Sequence, residues 1–158
     1  MDLSTIIMAI IILGICILPF AIIYFNSQKK KAGLVKILQA LASKNNAVIS
    51  RYDLWKSNGI GFDENKKHAF FFISGKDGIK EFNQKLSEIK KCRIDKHGRS
   101  IKSSGGSYSV IDKLDLVFEN ENSIVSSFPF FDSAQSMQLT NELEIATKWE
   151  KIFKEAIK

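Results

Sequence analysis

The chain has 158 residues, 45% of them hydrophobic, with a formal net charge of +6 and only two cysteines, Cys16 and Cys92. That length accommodates one ordinary domain plus an appendage, and with Cys16 in an apolar stretch and Cys92 alone in the rest, nothing points to a disulfide-stapled secreted scaffold. The charge is uneven: residues 3–25, "LSTIIMAIIILGICILPFAIIYF", carry none of it.

As a helix those 23 residues span roughly 34 Å, enough to cross a hydrocarbon core of about 30 Å with some tilt. A cleaved signal peptide is disfavoured. It needs a basic start, a shorter apolar run and a small-residue cleavage site, whereas this segment opens on "MDLST" and leads into "YFNSQKKK". Residues 1–28 therefore read as a transmembrane anchor. Lys29, Lys30, Lys31 and Lys36 follow the span and no Lys or Arg precedes it, so the positive-inside rule places the C-terminal part in the cytoplasm. The expected location is the inner (plasma) membrane, single-pass, with Tyr24 and Phe25 at the aromatic belt.

Leu34, Ile37, Leu38 and Leu41 then recur at helical spacing. Residues 29–45 read as a juxtamembrane amphipathic helix, and 46–158 as the domain. Within the domain the expected strands are 47–55, 60–63, 67–74, 79–86, 90–96, 108–120 and 124–131. "DENK" (63–66) and "GKDG" (75–78) supply turns. "HGRSIKSSGGS" (97–107) reads as a loop on its Gly and Ser content. Pro129 places the end of the last strand on a sheet edge. Asp132 and Gln135 form a capping pair for a closing helix with Leu139, Leu143, Ala146, Trp149 and Phe153 on its apolar stripe.

This order of strands, with "GIGFDENKKHAFFF" (59–72), "LSEIKKCRIDK" (86–96) and the closing "ATKWEKI" (146–152), resembles bacterial pleckstrin-homology-like (PH-like) domains over residues 47–157. The resemblance implies an α+β fold: after the transmembrane helix, a curved, partly open antiparallel barrel of about seven strands capped by a C-terminal helix. It implies binding to proteins or membrane lipids rather than catalysis. One departure limits it: "DLWKSNGIGF" (53–62) carries Lys56 alone, so the basic lipid-binding motif between the first two strands is not inherited.

Chemistry-bearing motifs are sparse. His68 with Asp63 and Glu64 lacks a second histidine for a metal, and "SSGGS" (103–107) does not end in the Lys-Ser/Thr of a phosphate loop. Cys92 has Lys91 and Arg93 beside it, a setting that lowers a thiol pKa when the charges face the sulfur; the simpler reading is a lone thiol on a strand. No catalytic residue, metal or cofactor is expected.

Charge is more informative. Residues 26–102 hold 18 Lys and Arg against 7 Asp and Glu, and residues 103–158 hold 5 against 9. Lys90, Lys91, Arg93, Lys96, Arg99 and Lys102, opposed in that stretch only by Asp95, are the candidate rim for an anionic membrane surface. They lack the interleaved aromatics that single-stranded nucleic acid requires, so no nucleic-acid partner is expected. The expected function is a membrane-anchored cytoplasmic interaction module, binding the bilayer through 3–25 and an unknown protein partner or anionic lipid headgroups through the domain. The alternative is an accessory subunit of a membrane complex held mainly through its transmembrane helix.

Overall fold

A strand that buries both faces cannot be covered by one neighbouring layer, and "AFFFI" (69–73) is such a strand. A computed structural model describes residues 3–75, 78–103, 106–121, 123–136 and 138–157, with side chains described at all of these except 3–7, 9–12, 14, 18–23, 25 and 101–108. In it one long helix, α1 (Leu3–Lys44), precedes seven strands: β1 (Arg51–Trp55), β2 (Asn58–Asp63), β3 (His68–Gly75), β4 (Gly78–Lys85), β5 (Lys91–Ser103), β6 (Gly106–Glu119) and β7 (Ile124–Asp132). A single 3-10 turn, Leu86–Glu88, links β4 to β5, and helix α2 (Glu142–Ile157) closes the fold.

The architecture is α+β, with two antiparallel sheets in the orders β1-β2-β3-β4 and β5-β6-β7. The expected barrel is thus two separate sheets. Each strand of a sheet pairs with its neighbour in sequence, and the chain passes between sheets through the 3-10 turn rather than by a shared ladder. The sheets meet through aromatic rings: Trp55 stacks on Phe130 at 5.1 Å and Phe71 on Phe128 at 5.3 Å, with Phe118 and Phe153 completing the layer beneath α2. Such pairs add about 0.5–1.5 kcal/mol beyond their area. Trp55 Nε1 is the buried side-chain polar atom without a partner among the described residues, so the ring is held by stacking and not by its N–H.

Side chains alternate across a strand. Phe71 therefore faces this first core, while Phe70 and Phe72 face away from it, into a second core formed with Leu34, Leu38, Leu41 and Ala42 of α1. All three phenylalanines are fully buried. The C-terminal third of α1 is accordingly a structural layer of the domain, and the helix runs without a break through both the expected anchor and the expected juxtamembrane segment. Beneath it Gly59 and Gly61 lie two apart on one face of β2. A Cβ on Gly59 would stand 2.5 Å from the Phe72 ring, and one on Gly61 2.9 Å from Ile49 Cδ1. The two glycines form the trough into which the helix and its partners settle.

The stretch 3–25 is helical in backbone, as expected. Among the described residues no helix is long and apolar enough to cross a membrane; most side chains of 3–25 lie outside that set, and so does most of what the anchor reading invokes.

Two other expectations are corrected. Of the expected loop 97–107, residues 97–103 and 106–107 are strand, in the paired β5 and β6, with a register shift at His97/Gly98, and 104–105 lie outside the described residues. A Cβ at Gly98 would lie 2.4 Å from the Val110 carbonyl oxygen, so this glycine serves close backbone approach at a bulge. The closing helix starts at Glu142, about ten residues after Asp132. The Asp132 carboxylate accepts the Ala134 N–H and its carbonyl oxygen accepts the N–H of Gln135 and Ser136, which makes a local turn in place of a helix cap. Pro129 does fall on an edge strand, β7.

Two outcomes follow for stability. Gly59→Ala should lower it by about 1–3 kcal/mol through overpacking against Phe72 and Leu54, and more than Gly61→Ala, whose neighbour is the movable end of Ile49. Urea denaturation of both variants checks this. The fragment 29–158 should exceed 46–158 in stability by several kcal/mol, because the shorter one leaves Phe70 and Phe72 uncovered; equal midpoints would show that α1 is not part of the fold.

Candidate interaction surface

The hairpin 58–74 uses its polar groups to build itself. Asp63 ends β2 and is buried. Its carboxylate accepts the N–H of Val48 at 2.8 Å, Asn65 at 2.9 Å and Lys66 at 3.0 Å. Burial raises the carboxyl pKa, but these three backbone donors and the Lys66 charge outweigh it and hold Asp63 below the ordinary range. His68 begins β3, buried, with Nε2 3.3 Å from Asn83 Oδ1 and its ring on Phe70; burial pushes its pKa down. No group of three metal-binding side chains occurs among the described residues. The stretch is a turn and a wall.

The basic residues are dispersed. Along β5 successive side chains take opposite faces, so Lys91 and Arg93 share a face while Cys92 and Ile94 point to the core and α2. Arg93 Nε donates to Glu119 at 2.8 Å and its guanidinium lies 3.5 Å from Asp95; Arg99 is 3.5 Å from Asp112 and Lys90 3.8 Å from Glu121. Opposition by Asp95 alone is thus corrected: cross-strand register on β6 supplies Glu119 and Asp112, and the β6–β7 turn supplies Glu121. Lys91 and Lys96 are exposed with no carboxylate within 4.0 Å among the described residues, and the Lys102 side chain lies outside that set. Cys92 is buried, and desolvation with the Glu150 charge pushes its thiol up to about 12. The flanking cations point away from the sulfur, so the thiol is unreactive.

A cleft of about 350 Å³ opens where the β1–β2 turn and the upper ends of β3 and β4 meet the end of β7. Phe130 and Phe82 form an apolar floor, with Lys80, Ser57 and Gln135 on the rim. Lys56, in the left-handed region at φ 49°, reaches Glu142 Oε1 at 2.6 Å. The other oxygen of Glu142 accepts the Thr140 N–H at 2.7 Å and its hydroxyl at 3.0 Å. Burial raises the Glu142 carboxyl, yet Lys56 and Thr140 together bring it below the ordinary value. A second carboxylate, Asp53 of β1, accepts from Lys148 Nζ at 2.7 Å and Trp149 Nε1 at 2.8 Å, tying the same strand to α2. Neither pair has a local sequence signal, since the partners lie 86 and 95 or more residues apart. The cleft offers an apolar floor, hydrogen-bonding rims and two lysines, Lys80 and the Lys56 that Glu142 holds.

Acid should destabilise the domain over two pH ranges. His68 and Asp63 are both depressed, so the unfolded chain binds more protons and stability rises with pH. The His68 contribution is complete above the ordinary value of 6.5 and lost as pH falls below it; that of Asp63 is complete above 3.8 and lost on further descent. Denaturation midpoints from about pH 7.5 to about 5 should fall for the wild type and fall less for His68→Asn; parallel slopes would remove His68 as the cause. Lys56→Met should cost about 1.5–3 kcal/mol by stranding a buried carboxylate, and Lys56→Met with Glu142→Gln should recover most of it; a double variant as weak as the single one would show that the pair is not coupled.

No protein-family model, curated protein or solved structure matches this chain.

Proposed function

We propose that this chain is a single-pass membrane protein whose cytoplasmic domain is a PH-like interaction module, holding a protein segment or the anionic membrane surface near the bilayer. The observation that carries the reading is the continuity of α1. One helix contains both the uncharged stretch 3–25 and the buried Leu34–Ala42 patch, so whatever holds the first half positions the domain directly. The charge step from residues 3–25 to Lys29–Lys31 supports the orientation. A four-stranded meander, a three-stranded meander and a terminal helix support the PH-like reading in strand number and order. The fully buried carboxylates among the described residues, Asp63 and Glu142, are both engaged in fold contacts, which favours binding over catalysis.

Membranes from cells expressing the full chain, washed with alkaline carbonate, should retain it in the pellet. Replacing residues 3–25 with a polar helical sequence should release it to the supernatant. A C-terminal tag should be cleaved by added protease only after the inner membrane is opened. Extraction of the wild type by carbonate would refute the anchor, and cleavage in intact cells stripped of outer layers would reverse its orientation.

A further inference from the structure

Three contacts fix how α1 crosses the first sheet. Near its exposed lysines, Gln28, Lys31 and Val35 form a shallow groove with Tyr52 and Leu54 of β1. Further along, Leu38 sits over Gly61 of β2, 3.4 Å from where a Cβ there would lie. At the end of the helix Lys44 Nζ binds Glu81 of β4 at 2.8 Å. The helix axis therefore runs across the strands, from β1 to β4 in the C-terminal direction. Traced toward its N-terminus, it leaves the domain over β1, which is an edge strand.

We propose, on the membrane-anchored reading above, that the domain stands edge-on to the bilayer, with the β1 edge and the adjoining face of α1 against the anionic headgroup layer. Lys31 lies six residues beyond Phe25, about 9 Å along a helix. The headgroup layer beyond the hydrocarbon is about 5–8 Å deep on each side, so the groove beside β1, which starts at Gln28, begins within it and runs out past its outer boundary. Lys29, Lys30 and Lys31 occupy the intervening turn and are exposed, as a layer of lipid phosphates requires. Tyr52, 50% exposed on β1, presents an aromatic body with a polar tip to the same zone. β4 lies three strand spacings further away, about 14 Å. Lys90 and Lys91 follow β4 through the 3-10 turn, so the basic residues at the start of β5 sit away from the lipid. The helix thereby selects which face meets the membrane, and the exposed ladder of β1 is screened from edge-to-edge pairing.

The test uses the full chain with Cys16→Ser, since Cys92 is buried and does not label. Tyr52→Cys, Arg51→Cys, Lys80→Cys and Lys96→Cys each carry one fluorophore. Each variant is reconstituted into vesicles of phosphatidylcholine and phosphatidylglycerol containing a headgroup-nitroxide lipid. Quenching should be several-fold stronger at positions 51 and 52 than at 80 and 96. Arg51→Cys stands in should Tyr52→Cys fail to fold. Equal quenching at all four positions, or stronger quenching at 80 or 96, overturns the orientation while leaving the anchor intact. Release of the wild-type chain from the vesicles by alkaline carbonate overturns the anchor and the orientation together.

Discussion

The structure depends on covering both faces of β3. Three adjacent phenylalanines on one strand must project alternately to opposite sides, and each loses about 1.5–3 kcal/mol if left in water. Phe71 finds the second sheet and α2. Phe70 and Phe72 require another layer, and the last turns of α1 provide it. Gly59 and Gly61 follow from the same demand, because a side chain at the first would press on Phe72 and Leu54 and one at the second on Ile49. The helix, the trough and the strand form one unit, which is why a segment that reads as a juxtamembrane amphipathic helix behaves as part of the core.

Carboxylates do the joining. Asp63 ties the chain entering β1 to the hairpin turn, Asp53 ties β1 to α2, and Glu142 ties the start of α2 to the β1–β2 turn. Glu150 accepts the Ile94 N–H of edge strand β5 and also holds Lys154. Each accepts more than one donor, so the desolvation that burial imposes is met by hydrogen bonds. The acids of β6 meanwhile pair with Arg93 and Arg99 of the basic run on β5, and its field is more local than its composition indicates.

For the proposed role the consequence is mechanical. A flexible tether would let the domain sample many orientations; a continuous helix packed against a sheet holds one. Location and presentation are then set by the same element, and a partner meets a surface already turned toward it, at lower entropic cost than a mobile one.

Local patterns were enough to show much of this fold. The uncharged run 3–25, the alternation of Leu114, Leu116 and Phe118, the turn at 63–66 and the apolar stripe of α2 are all short-range signals, and short-range sterics and periodicity govern them. Strand number and the closing helix were legible in the same way; the resemblance added a partly open barrel, where the fold has two separate sheets. Composition misled at 97–103 and at Asp132, where glycine, serine and a capping pair read as loop and helix start; in the fold, cross-strand register and a local turn decided those segments. Only the tertiary structure showed that α1 roofs the sheet, that Cys92 faces away from its cationic neighbours, that Lys56 meets Glu142, and that acids from β6 oppose the basic strand. Those outcomes depend on which residues the chain brings together across tens of positions, and sequence spacing carries no record of such distances.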